Sequence, residues 1–296
     1  TLAFSPTHSA RQIVVSCFII AWGARLSGFL LFRIIKTGKD DRFDDKRDDF
    51  FKFLGFWVFQ MVWVWTVSLP VTLLNSPAVT SYQPQPAFGT GRDIAGVVLW
   101  SIGFIMEAVS DVQKYRFRSN SANKGKTCTV GLFAWSRHPN YFGEIIMQFA
   151  VFMIAVTPAA AGVVPKGSGA YAALYASILG AIFLTVLLMF VSGLTLQERP
   201  GAKKKFEADG PAGSGWRQYK TWTERTSILV PFPPQIYVHL PTVLKRTVFL
   251  EFPIYVFDPA KHADMKKVEE RQAEEGREGS REGSREGLRG GEEGGL

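Results

Sequence analysis

The sequence predicts an all-α protein, a polytopic membrane bundle of about five spans followed by a C-terminal interfacial segment. Three observations predict it. The 296 residues are 47% hydrophobic and 14% aromatic, and the apolar residues gather in long blocks instead of recurring at helical or strand periodicity. Ionisable residues concentrate between those blocks. Counting Lys and Arg, the four connectors hold five, one, six and one, the alternation expected when basic loops stay on the cytosolic side. The loop 114–137, with six basic residues and no acid, and the segment after Leu196 are thereby assigned to the cytosolic face.

The first span is expected over 13–35. Arg33 near its end can snorkel, whereas Arg25 is too central for that and is expected to face other helices, paired with Glu107 or Glu144. The connector 36–49 carries five basic and six acidic residues and reads as a solvated loop. The second span, 50–74, contains Trp57, Trp63, Trp65 and Gln60, with Pro70 near its end, where a membrane helix tolerates it. A Pro/Ser/Gln loop leads to the third span, 93–112, in which Glu107 and Asp111 project from one face at i,i+4. The fourth span is expected over 140–160 and the fifth over 171–196.

Two cysteines, Cys17 and Cys128, match no metal-ligand spacing, and the four histidines are scattered, so no metal site is expected. Gly125-Lys-Thr127 lacks the earlier glycine of a phosphate-binding loop. The net charge of +8 falls in loops between apolar blocks, which speaks for membrane orientation and against nucleic acid as a partner. The chain begins at Thr1 and not at a methionine, which leaves room for a preceding helix.

The densest chemistry lies in Ser136-Arg-His-Pro-Asn-Tyr-Phe-Gly-Glu144. Pro139 suits the first turn of a helix, with Ser136 as the expected cap. Free N–H groups at such a start attract anions, and Arg137 and His138 stand beside them. Asn140, Tyr141 and Glu144 then share one helix face. A carboxylate one turn into an apolar run is costly and normally has a partner or a task. Beyond the fifth span, aromatic and basic residues around 216–232 suggest docking at the membrane surface, and Lys203 to Lys205 could contact anionic lipid. The stretch 236–260, apolar but interrupted, is expected at the interface, and the charged repeats in 261–296 are expected to be disordered. Residues 11–235 make up the membrane-embedded domain.

Several blocks together resemble the steroid 5α-reductase superfamily, in particular its DUF1295 branch. They are Leu26-Ser-Gly-Phe-Leu-Leu-Phe-Arg33, Glu107-Ala-Val-Ser-Asp111, Asn123-Lys-Gly-Lys126, Ser136-Arg-His-Pro-Asn-Tyr-Phe-Gly-Glu144 and Thr226-Ser-Ile-Leu-Val-Pro231. The resemblance implies an enzyme that reduces an activated C=C bond of a lipid or steroid-like enone with NADPH. It implies a cofactor pocket lined by Asp111, Arg137, His138, Asn140, Tyr141 and Glu144, with Lys114 and Asn123 at its mouth. Glu198, Tyr219 and Arg225 would close it. The membrane expected is the endoplasmic reticulum or another endomembrane, with the cofactor site facing the cytosol. No proton donor is assigned; Gln60, Tyr82 and Tyr115 are candidates. Isoprenylcysteine carboxyl methyltransferases are also similar, at Arg137-His-Pro-x-Tyr-x-Gly143, and imply S-adenosylmethionine instead. A non-catalytic lipid- or sterol-binding membrane protein is the third reading.

Overall fold

The structure, a computed structural model, describes residues 8–38, 48–271 and 273. Residues 39–47 of the connector and, in the charged tail, residues 272 and 274–296, with all of the Arg-Glu-Gly repeats, lie outside the described residues. Helices account for the fold: α1 (Ala10–Thr37), α2 (Phe50–Val67), α3 (Leu69–Leu74), α4 (Pro77–Thr80), α5 (Gly91–Ser119), α6 (Pro139–Ala155), α7 (Thr157–Ala160), α8 (Gly169–Ala176), α9 (Ile178–Val186), α10 (Leu194–Asp209), α11 (Ser214–Arg225), α12 (Pro234–Tyr237), α13 (Thr242–Thr247) and α14 (Pro259–His262). Among the described residues there is no strand, and Ser136 and Ser227 form an isolated parallel bridge. The protein is an all-α polytopic membrane bundle.

Among the described residues, four stretches are long and apolar enough to cross a bilayer: Ala10–Lys36, Phe50–Val67, Gly91–Ser119 and Gly169–Asp209. The expected span 140–160 differs. Its regular helix, α6, has 17 residues and gives way at Val156 to the single turn α7, where Pro158 lacks the N–H that would continue the ladder. The expected second span also breaks, at Ser68, one residue before Leu69 and Pro70 restart the helix as α3.

The chain divides into two compact units, residues 1–117 with 138–190 and residues 118–137 with 191–296. In the first, α1 and α5 run parallel and meet in regular rungs. Arg11 pairs with Asp93, Phe18 stacks on Trp100 at 3.9 Å, Arg25 pairs with Glu107, and Phe32 meets Tyr115 edge-on. The first three rungs are seven residues apart on both helices, the spacing that keeps one seam facing its partner. Against α5 packs the antiparallel α6, with Gly96 beside Ile154 and Gly103 beside Gly143. A parallel α1–α5 pair and an antiparallel α5–α6 pair are what alternating spans require.

The first rung is a buried, fully engaged ion pair. Arg11 Nε donates to Asp93 Oδ1 at 2.9 Å and its Nη2 to Oδ2 at 2.8 Å, while Nη1 and Nη2 also reach the carbonyls of Pro86 and Ala87. Asp93 further accepts from the Gly89 and Thr90 amides and the Thr90 hydroxyl. Both side chains are at most 1% exposed.

In the second unit, residues 226–232 lie alongside 135–137. The Arg137 amide donates to Ser227 O at 2.8 Å, the Ser136 hydroxyl to Leu229 O at 2.7 Å, and the Phe232 amide to Trp135 O at 3.0 Å. An apolar cluster of Ala202, Phe206, Trp216 and Val268 forms beside α10 and α11. Val268 is 2% exposed; the described part of the charged segment after 261, expected to be disordered, is helical over 265–271 and joins that cluster at Val268.

Removing one member of a buried ion pair strands the other and costs about 3–5 kcal/mol. Asp93→Ala is therefore expected to lower the unfolding free energy by about that much, and Arg11→Met with Asp93→Leu by much less. Thermal denaturation in detergent measures both. Equal losses in the single and double variants would contradict this account of the pair.

Candidate functional site

In the first unit a group of ionisable side chains gathers around Arg25. This residue sits mid-span on α1, and its guanidinium bonds Asp111 Oδ2 at 2.7 Å and makes a very short contact with Glu107 Oε1. The Glu107 partnership is one of the two expected from the sequence. Glu144, on α6, interacts electrostatically with both Arg25 and Asp111, so three carboxyl groups share one guanidinium. The second oxygen of Glu107 and the side-chain oxygen of Asn140 are buried with no hydrogen-bond partner among the described residues. His138 stacks on Tyr141, ring centroids 5.2 Å apart. Asp111, His138, Asn140, Tyr141 and Glu144 thus lie with Arg25 and Glu107 in this unit.

Their spacing depends on two glycines. A Cβ on Gly103 would stand 2.5 Å from the Gly143 carbonyl oxygen, and one on Gly143 would stand 2.6 Å from that of Gly103 and 3.1 Å from the Glu107 amide. Bare backbones let α5 and α6 approach closely. The cap of α6 is His138, without a side-chain hydrogen bond, and not Ser136. Ser136 is instead committed to Leu229. Pro139 does open the helix, as expected.

The second unit contains a cavity of about 610 Å³ whose walls include Arg137, Glu198, Tyr219, Lys245, Arg246 and Glu251. Arg137 is buried, and its two terminal nitrogens are taken by Glu198, at 2.6 Å, and by Glu251, in a very short contact. Its Nε is buried without a partner among the described residues. Burial opposes the charge, but Glu198 and Glu251 outweigh it and hold the Arg137 pKa above its ordinary value. The Tyr237 hydroxyl donates to Glu251 Oε2 at 2.8 Å. Glu251 follows Leu250, a non-glycine residue at φ 60°, a left-handed conformation that costs energy and clusters at functional sites. Burial, reinforced by Glu198, raises the Tyr219 pKa and pushes that of Tyr255 up to about 12. Both phenols therefore remain hydrogen-bond donors at neutral pH.

Of the expected pocket residues, Arg137, Glu198 and Tyr219 converge on this cavity. Asn123, in the turn Ser121–Asn123, and Arg225, exposed at the end of α11, do not line it. Lys114 is half-buried on α5. Tyr82 packs against the apolar cluster of Val79, Val156 and Leu174, which gives it a structural setting. Tyr115 meets Phe32, and Gln60 is half-buried on α2. The sequence reading missed Glu251, Tyr237, Lys245 and Arg246. Glu251 carried a usable signal, a lone acid in an interrupted apolar run, the same pattern that drew attention to Glu144.

Membrane-length apolar helices and buried ionic clusters define the class: a multi-pass helical membrane protein. Within that class, residues 1–223 match the model of the family described as protein of unknown function DUF1295. The chain belongs to this family, the steroid 5α-reductase-like group. It is also similar to the probable O-methyltransferase ustE of Ustilaginoidea virens, at 41% identity over 46 residues. That match spans 16% of this chain and 16% of the relative. No solved structure matches the chain.

Arg25→Leu leaves Glu107 and Asp111 without their cation and is expected to cost about 3 kcal/mol or more of stability. Adding Glu107→Leu is expected to recover part of that loss. Chemical denaturation of the two variants checks both, and an unchanged midpoint in Arg25→Leu would remove the ion pair from the account.

Proposed function

We propose that this protein is a membrane oxidoreductase that reduces an activated C=C bond of a lipid or steroid-like enone with NADPH. The observation that carries the reading is the convergence of Arg137, Glu198 and Tyr219 on one cavity of about 610 Å³ that also presents Lys245 and Arg246. That volume is in the range of cofactor sites. The donor set fits the group. Lys245 lies 4.7 Å from the Tyr237 ring centroid, and among the described residues neither it nor Arg246 forms an ion pair, so both can meet phosphates. Arg137 has a different part: its charge is already balanced by Glu198 and Glu251, and it braces the wall while its Nε faces an unmet hydrogen bond. Protonated Tyr219 and Tyr255 can donate to phosphate or ribose oxygens.

When bound, a reduced nicotinamide supplies the hydride that such a reduction needs. The chain's own contribution is to hold the cofactor by its anionic end, exclude water and set acid–base groups. The charge pattern of the loops supports a cofactor site on the cytosolic side of the endoplasmic reticulum or another endomembrane.

A second reading, S-adenosylmethionine-dependent methyl transfer, is favoured by the similarity to a probable O-methyltransferase. A sulfonium cofactor brings positive charge, and the three carboxyl groups around Arg25 would suit it. Equilibrium binding of NADPH and of S-adenosylmethionine to detergent-purified protein separates the readings. NADPH is expected to bind, and Arg246→Ala to weaken it by about 1.5–3 kcal/mol, the loss of one charged hydrogen bond. Binding of S-adenosylmethionine with none of NADPH would replace reduction by methyl transfer.

A further inference from the structure

At the start of α5, away from the Arg25 cluster, the first unit carries a groove of about 320 Å³. Phe149, Phe152, Met153, Val156 and Ala160 line it, with Arg92 and Tyr175 at its polar side. The five apolar residues lie at i, i+3, i+4, i+7 and i+11, one stripe along α6 and on into α7. Val156 shares an apolar cluster with Leu174 of α8, and Phe152 packs against that cluster. This contact brings α8 up to the break after α6 and sets Tyr175 beside it. Phe149, Phe152, Met153 and Ala160 are half-buried, so the protein covers only part of this apolar surface.

The polar side is a convergence of cations. The second and fourth connectors hold one basic residue each, Arg92 and Lys166. Both interact electrostatically with Tyr175, which is 39% exposed and whose ring centroid is 4.8 Å from that of Tyr171. Arg92 and Lys166 are themselves exposed, and among the described residues neither forms an ion pair. The adjacent acid, Asp93, is already engaged by Arg11. Two available cations therefore face one phenol at the mouth of an apolar groove.

The dimensions select the ligand. Gly96 stands beside Ile154, so in the antiparallel α5–α6 pair Arg92, one turn earlier, is level with the Ala160 end of the groove. From Ala160 the stripe runs back to Phe149, about 16 Å at helical rise. That depth is close to half of a hydrocarbon core about 30 Å thick, and an acyl chain fits it. A free anion would use the cations and leave the stripe uncovered; a neutral lipid would do the reverse. The groove is separate from the Arg25 cluster, because Arg92 precedes Glu107 on α5 by about 22 Å of helical rise.

We propose that this groove, with Arg92, Lys166 and Tyr175, is a binding site for an anionic membrane phospholipid that is resident and not consumed. The two cations meet the charge of its headgroup and phosphodiester. The Tyr175 hydroxyl donates to a phosphate oxygen, and one acyl chain lies along 149–160. Such a lipid covers the point where α6 gives way to α7 and ties α5, α6 and α8 together. The proposal rests on the chain being a membrane protein and not on the reduction.

The test uses the full chain, stripped of native lipid in detergent. The probes are phosphatidylglycerol and phosphatidylcholine with the same palmitoyl and oleoyl chains, and glycerol phosphate as the free headgroup analogue. Native mass spectrometry counts retained lipids, and thermal denaturation reports their effect. One phosphatidylglycerol is expected to be retained at about tenfold lower concentration than phosphatidylcholine, the scale of one or two basic contacts to an anionic lipid, and to raise the Tm. Arg92→Gln with Lys166→Gln is expected to remove that preference, while Lys204→Gln, in a basic stretch elsewhere in the chain, leaves it in place. Ala160→Phe, which fills the groove, is expected to weaken retention of both lipids. Equal retention of the two lipids by the wild-type chain would overturn the proposal. So would an unchanged preference in the Arg92 and Lys166 variant, which would place the anionic lipid at other basic loops. Displacement of the lipid by equimolar glycerol phosphate would mark a site for free anions and would overturn it as well.

Discussion

The bidentate pair of Arg11 and Asp93 is the constraint on which the membrane unit depends. Two fully buried charges are tolerable because all three guanidinium nitrogens and both carboxylate oxygens have partners: the carbonyls of Pro86 and Ala87 on one side, the Gly89 and Thr90 groups on the other. Such a network has one register. A slip of α1 against α5 would strand both charges at once. Once that register is set, the heptad spacing brings Phe18 to Trp100 and Arg25 to Glu107. The Arg25–Glu107 pair thus inherits its position from the Arg11–Asp93 pair two rungs away.

Much of this architecture was legible in the sequence because hydropathy acts locally. A block of apolar residues long enough to span a bilayer leaves few alternatives to a helix, and the charge alternation of the connectors orders them. Arg25 was legible too, since a guanidinium at mid-span needs an acid and few are available. The Arg11–Asp93 pair was not. Arg11 lies just before the expected first span and Asp93 at the start of the third, where charges are ordinary, and their 82-residue separation leaves no local trace. The break at Val156 was hidden for a similar reason: Pro158 sits in an apolar run that reads as continuous.

The motif 136–144 compresses different tasks into a few letters. Ser136 and Arg137 are tied to the segment 226–232 and to Glu198 and Glu251, whereas Asn140, Tyr141 and Glu144 build the start of α6. Reading the motif as one pocket came from proximity in sequence. Residue type could not reveal that Arg137 already holds two carboxylates, because one of them, Glu251, arrives from 114 residues away. Cations that remain available, Lys245 and Arg246, came from a stretch noted only for its interrupted hydrophobicity.

Gly103 and Gly143 carry neither charge nor side chain, yet the distance between α5 and α6 is theirs to set. Glu107 and Glu144 hang from those two backbones, so their mutual repulsion and their share of Arg25 follow from how nearly the helices touch. Divergence within the fold could therefore retune its acid–base chemistry by adding a methyl group at a helix crossing, with every ionisable residue left in place.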